Sequence, residues 1–236
     1  FLALGTSATL AGQTEMAGQS EIAGQSEIAG TSETRFLSRQ ETSPPLLVPP
    51  PPAPDSNEEA LELARLKGLI AKATPQRLAQ ADADGKARDP SVFSAAAGRD
   101  LTRLPATYAL LRDVQQETAE IIDTAKDYYN QPRPYAIDPS LPHCGKGKGL
   151  GRSYPSGHTG FGYSVGWALA RLDPTHAPAV LARASDYALS REICGVHFHS
   201  DTEASRVIGT FVADRMLADP RMAQRVAAAR AELGGS

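Results

Sequence analysis

Between Leu110 and Ile122 the residues that can be buried fall at three- and four-residue spacing: Leu110, Leu111, Val114, Thr118, Ile121 and Ile122. That period belongs to a helix with one apolar stripe, and such a stripe needs other helices to cover it. No stretch of the chain alternates convincingly with period two, as a half-buried strand would. The chain therefore reads as an all-α domain. Helices are expected over about 75–86, 90–100, 106–128, 158–172, 176–191, 201–217 and 220–233, the last opened by Asp219-Pro220. Another should start after Ser56, where Ser56-Asn-Glu-Glu59 reads as a capping box ahead of Leu61, Leu63, Leu66, Leu69 and Ile70. Aromatics make up only 6% of the chain and alanine is abundant, which suits closely packed helices better than sheets.

What precedes Ser56 is different in kind. Residues 15–32 are three copies of a hexapeptide of the form Glu-Ile-Ala-Gly-Gln-Ser, with Met16 in the first and Thr31 in the third. One large apolar residue per copy cannot bury enough surface to offset chain entropy. A flexible tail over 1–43 is expected, with a partner-binding arm as the other option. Pro44, Pro45, Pro49 to Pro52 and Pro54 predict an extended Pro-rich leader over 44–55, laid along the surface of a domain at 56–236. The opening Phe1-Leu-Ala-Leu-Gly-Thr-Ser-Ala resembles the end of a secretory signal, so a periplasmic or secreted protein is expected; a processing artefact would look the same.

Charge narrows the partners. The net charge is -3, and residues 1–55 hold six acids against two bases, leaving the domain close to neutral. Nothing favours a nucleic-acid polymer or an anionic membrane surface, and any anion site must be local. The most apolar stretch, Gly160 to Leu172, is interrupted by Ser164 and closed by Arg171, short of the ~18 residues that span a bilayer. Cys144 and Cys194 are able to pair in an oxidising compartment, although two cysteines decide little by themselves.

Three segments hold the unusual residues. In Lys126-Asp-Tyr-Tyr-Asn-Gln-Pro-Arg133-Pro134 the prolines end the helix near Gln131, so that Lys126 and Arg133 can converge. A basic helix terminus favoured by the macrodipole is the plainer account. In Ser153-Tyr-Pro-Ser156-Gly157-His158-Thr159 a turn opens a helix whose free N–H groups suit an anion, though Ser156 would serve equally as an N-cap. In Ser190-Arg191-Glu-Ile-Cys-Gly-Val-His197-Phe-His199-Ser-Asp201, helical spacing would set Asp201 against His197 and fix its tautomer; a structural pair has the same spacing.

Taken together, Lys-x6-Arg-Pro, Pro-Ser-Gly-His and Ser-Arg-x5-His-x3-Asp resemble the three-part signature of the phosphatidic acid phosphatase type 2 superfamily. The wording of the second and third segments resembles the bacterial class A non-specific acid phosphatases, from about Leu46 to the C-terminus. The resemblance implies hydrolysis of phosphate monoesters over a broad substrate range, with phosphotransferase activity as an extension and a homodimer as a possible assembly. It implies His197 as nucleophile, Asp201 as its orienting partner and His158 as general acid and base. Lys126, Arg133, Ser156, Gly157 and Arg191 would bind the phosphate, with no cofactor and no divalent metal. A His158 that is cationic in acid would suit an acid phosphatase. A disulfide between Cys144 and Cys194 would brace the site in an exported protein. His199 is expected to be mostly a bystander, His143 and His176 surface residues, and Gly145 to Arg152 a basic rim. The alternatives are a vanadium-dependent haloperoxidase using the same oxyanion site and a non-catalytic binding protein acting through its tail. A serine hydrolase is disfavoured because the Gly-x-Ser-x-Gly elbow is absent.

Overall fold

The computed structural model describes residues 36–145 and 149–234. The signal-like start and the hexapeptide repeats lie outside the described residues, as do Lys146 and Lys148 of the basic loop. Among the described residues the fold is helical without strands. Its elements are α1 (Pro44–Leu47), α2 (Asn57–Lys72), α3 (Pro75–Lys86), α4 (Pro105–Tyr129), α5 (Pro134–Ile137), α6 (Gly157–Leu172), α7 (Ala177–Ile193), α8 (His199–Ala218) and α9 (Ala223–Gly234).

α6 is the hub, packed most extensively against α8, then α7 and α4. Its centre needs small residues on several sides, which explains a sequence that is apolar nearly all round. A Cβ at Gly209 of α8 would stand 2.8 Å from the carbonyl oxygen of Gly160, so the two backbones meet directly there. The core around this crossing includes Leu110, Leu111 and Val114 of α4, Phe161, Val165 and Leu169 of α6, and Ile208, Val212 and Met216 of α8.

Two expected helices differ. Over 90–100 there is a 3-10 turn at Pro90–Phe93 and another at Leu101–Arg103. Gly98 takes φ +65 between them, and the Ser94 hydroxyl accepts the Leu101 N–H, which together stop a helix from continuing. At the C-terminus a 3-10 turn, Pro220–Met222, precedes α9. The capping box at Ser56 is only half made. Ser56 accepts the Glu59 N–H at 3.2 Å, but the Glu59 carboxylate takes the N–H of Asp55, because that of Ser56 is held by the Ala53 carbonyl. The N-terminus of α4, which has no capping side chain of its own, is closed from α9. Glu232 accepts the N–H groups of Ala106 and Thr107 at 2.9 and 2.7 Å.

The leader is bound to the domain. Pro44–Leu47 form one helical turn rather than extended chain. The carbonyls of Val48 and Pro49 accept the hydroxyls of Tyr129 and Tyr154 at 2.9 and 2.6 Å. The sequence puts residues 36–43 in the tail, yet the N–H groups of Phe36 and Leu37 both donate to the buried carboxylate of Glu117, and Leu37 and Thr42 are buried.

Candidate active site

The three unusual segments meet at one end of the bundle. Lys126 stands on the last turn of α4, which closes at Asn130 in the left-handed region with φ 46. The strand of chain beyond it is tied to the second segment: Arg133 N–H donates to Leu150 and Ser153 N–H to Gln131. Ser156 N-caps α6, putting Gly157 and His158 on its first turn. Arg191 comes from the end of α7, and His197 from the turn before α8. A cavity of about 410 Å³ is lined by Lys126, Arg133, Gly157, His158, Arg191 and His197. Asp201 lies behind His197. Ser156 is fully buried and does not line the cavity; its hydroxyl accepts the Thr159 N–H.

His197 and Asp201 are partners, but not through helical spacing, because His197 precedes α8. The carboxylate of Asp201 reaches back past the helix N-terminus. Its Oδ2 accepts from the Phe198 N–H at 2.9 Å, the Ser153 hydroxyl at 2.5 Å and His197 Nδ1 at 2.9 Å. A carboxylate can only accept, so Nδ1 carries the imidazole proton and Nε2 presents a lone pair. That Nε2 lies 3.2 Å from Nη1 of Arg133. Burial, with Arg133, Lys126 and Arg191 nearby, holds the His197 pKa well below the usual value. Burial also raises the Asp201 carboxyl, against the pull of its hydrogen bonds and of Lys126.

The cations divide into two kinds. Lys126 is buried, and its ammonium donates to the carbonyls of Arg152 at 2.8 Å, Ser153 at 3.1 Å and Pro155. All three of its protons are thereby used. Arg133 donates to the carbonyls of Gly149, Val196 and Arg152. Arg191 is different: its Nε and Nη1 are buried with no hydrogen-bond partner. A Cβ on Gly85 would stand 2.5 Å from Nη1, so only glycine lets the guanidinium lie there. His158 Nε2 is 3.0 Å from the Gly85 carbonyl and must donate to it, leaving Nδ1 to exchange protons. Burial first, then Arg191 and Arg88, push the His158 pKa down to about 3. The expectation of a cationic His158 in acid is thus wrong for the empty site.

One wall comes from a helix that no motif marks. Asp82, Gly85, Lys86 and Arg88, at the end of α3 and just beyond, all line the cavity. α3 is pinned to α7 from behind. Arg183 clasps Asp84 with Nη2–Oδ1 at 2.6 Å and Nη1–Oδ2 at 3.2 Å, and the Ser190 hydroxyl donates to Asp84 at 2.6 Å. The signature serine therefore holds α3 rather than facing the cavity. Ser153 is the other functional residue that spacing does not predict. The disulfide between Cys144 and Cys194 is formed and borders the cavity. From the basic rim, Gly145 and Arg152 reach the cavity, and Arg152 is paired with Asp123 and Asp127. His199 turns away to Glu192, His176 to Asp173, and His143 stacks on Tyr135 at the surface. No His, Cys, Asp and Glu cluster suited to a metal occurs among the described residues, and no helix there is long and apolar enough to cross a membrane. Unpaired guanidinium donors beside a neutral imidazole make a receptor for a small oxyanion.

Residues 106–224, about half of the chain and all three segments, match the PAP2 superfamily. The chain is 36% identical over 124 residues to an acid phosphatase of Zymomonas mobilis, in a match that covers 50% of this chain and 47% of that protein. It is 29% identical over 195 residues to a non-specific acid phosphatase of Salmonella typhimurium, covering 79% and 78% of the two chains. A non-specific acid phosphatase of Providencia stuartii is 28% identical over 198 residues, covering 79% of each. The chain therefore belongs to the PAP2 superfamily.

Proposed function

We propose that this chain is an acid phosphatase that hydrolyses phosphate monoesters through a phosphohistidine on His197. The observation that carries this reading is the convergence of Lys126, Arg133, Arg191, His158 and His197 on one cavity, with two nitrogens of the buried Arg191 guanidinium lacking any partner. A phosphoryl group supplies the missing acceptors. Gly157, on the first turn of α6, would add an N–H. Ser156 caps α6 through the Thr159 N–H and so positions that first turn rather than touching the phosphate itself.

In the first step Nε2 of His197 bonds to phosphorus while the bond to the leaving oxygen breaks. Binding would draw Nη1 of Arg133 from Nε2 onto a phosphate oxygen, which frees the lone pair. The leaving alkoxide takes a proton from Nδ1 of His158. Water then attacks the phosphohistidine and returns a proton to His158, releasing inorganic phosphate. His158 is neutral in the empty site, so its proton arrives with the substrate. The second ionisation of a phosphate ester lies near pH 6, so in acid the ester binds as a monoanion and can pass that proton to His158. An acid optimum follows from the substrate rather than from the free enzyme.

Lys126, Arg133 and Arg191 would neutralise the phosphate, which is the basis for proposing a metal-independent reaction. An alcohol in place of water in the second step would make the enzyme a phosphotransferase. We assign catalysis to 56–236 with the leader on its surface, and a periplasmic or secreted location, which a formed disulfide favours. The test is hydrolysis of p-nitrophenyl phosphate at about pH 5, on the acid side of that ionisation, with excess EDTA. Wild type should be active and inhibited by vanadate, and His197→Ala inactive. Loss of activity on chelation would remove the metal-free mechanism, and an active His197→Ala the nucleophile.

A further inference from the structure

Arg112, Gln116, Ala119, Asp123 and Lys126 follow one another at three- and four-residue steps and share one face of α4, with Gln115 beside Gln116. Lys126 and Asp123 line the catalytic cavity. Arg112, Gln115 and Gln116 line a second cavity of about 400 Å³, together with Arg88 and Asp113. Arg88 and Ala119 belong to both, so the two cavities adjoin.

The second cavity presents two arginines, Arg88 and Arg112, that make no ion pair among the described residues. Asp113 is ion-paired with Arg225. The side chain of Arg112 hydrogen-bonds only Gln115 among the described residues, at 3.2 Å. Asp89 sits close enough to feel Arg112, but its oxygens are engaged by Ser91 and Tyr108. The guanidinium of Arg88 has no partner among the described residues, while Gln115 fixes its backbone through the Arg88 carbonyl at 3.0 Å. At the catalytic mouth the opposite holds, with Lys86 paired to Asp82 and Arg152 to Asp123. Ala119 is two helical turns from Lys126, or about 10 Å along the axis. Phosphoryl transfer at His197 needs nothing at that distance.

We infer that the second cavity receives the leaving group and favours esters bearing a second phosphate about a hexose length from the one cleaved. The inference rests on the phosphatase reading of the site. It is tested with fructose bisphosphate, fructose monophosphate and p-nitrophenyl phosphate, on wild type, Arg112→Gln and the double variant Arg88→Gln/Arg112→Gln. Arg112→Gln should lower kcat/KM for the bisphosphate about fivefold, through KM and less so at high salt, and leave p-nitrophenyl phosphate within about twofold. The double variant should lose more on the bisphosphate than on the monophosphate. Equal losses on all three esters, or no loss on the bisphosphate while p-nitrophenyl phosphate turns over normally, would overturn this inference alone. A wild type that cleaves no phosphate ester would overturn the reading of the catalytic site as well.

Discussion

The two walls of the cavity carry similar charge and use it differently. On the α4 side every proton of Lys126 is given to a carbonyl of the 152–155 segment, and Arg133 shares that of Arg152 and holds two more, of Gly149 and Val196. On the α7 side Arg191 has two nitrogens with no partner at all. The first wall is held closed by its cations and offers a substrate mainly their field. The second has donors waiting. Identical formal charge therefore says little about role; the destination of each N–H decides it.

The comparison breaks if substitutions on the two walls behave alike. The largest effect should come from Arg191→Met, which is expected to lower kcat/KM about a thousandfold. Its Tm should hold or rise, because a buried and unpaired cation is removed. Lys126→Met should instead unfold early, losing about 3 kcal/mol as the buried carbonyls of Ser153 and Pro155 lose their donor. Thermal melts of both variants beside steady-state kinetics make the test, and a stable Lys126→Met would refute the division of labour. Ser153→Ala should be milder. It removes one of three donors to Asp201 and should lower kcat about tenfold with KM nearly unchanged, the expected signature of a positioning residue.

The smallest effect is on stability against pH. His158 titrates near 3 when folded and near 6.5 when unfolded, and His197 is displaced the same way. Between those values the unfolded chain binds protons that the folded chain does not, so acid destabilises. Each histidine contributes up to about 1.4 kcal/mol per pH unit. Asp201, raised by burial, has the opposite sign and offsets part of this. The Tm of the empty enzyme should fall from pH 6.5 to pH 5, and saturating inorganic phosphate should flatten the slope by raising both histidines. A Tm that climbs on acidification would contradict these assignments.

Much of this was legible in the sequence, but unevenly. Spacing marks α4, α6, α7 and α8 because their buried stripes are local patterns. The three segments hold Lys126, Arg133, Gly157, His158, Arg191, His197 and Asp201, but not the α3 residues that also line the cavity. What could not be read depends on contacts between distant parts of the chain. Glu232 caps a helix more than a hundred residues upstream, and nothing near it signals that. α3 has an ordinary polar pattern, and its place at the cavity follows from Asp84 meeting Arg183 and Ser190 on α7. Ser153 looks like any residue of a turn until Asp201 is seen beside it. The protonation of His158 is not legible in the sequence because burial, the larger cause, and the approach of Arg191 and Arg88 arise only in the fold.

The central claim is a covalent bond between phosphorus and Nε2 of His197. Acid-sparing rapid quench during turnover of p-nitrophenyl phosphate, followed by digestion and mass spectrometry, looks for it directly. The account predicts a phosphoryl group on the peptide containing His197, absent from His197→Ala and accumulating in His158→Ala with an activated ester. Phosphate on Ser156, or full activity with no phosphoenzyme at any time point, would contradict it.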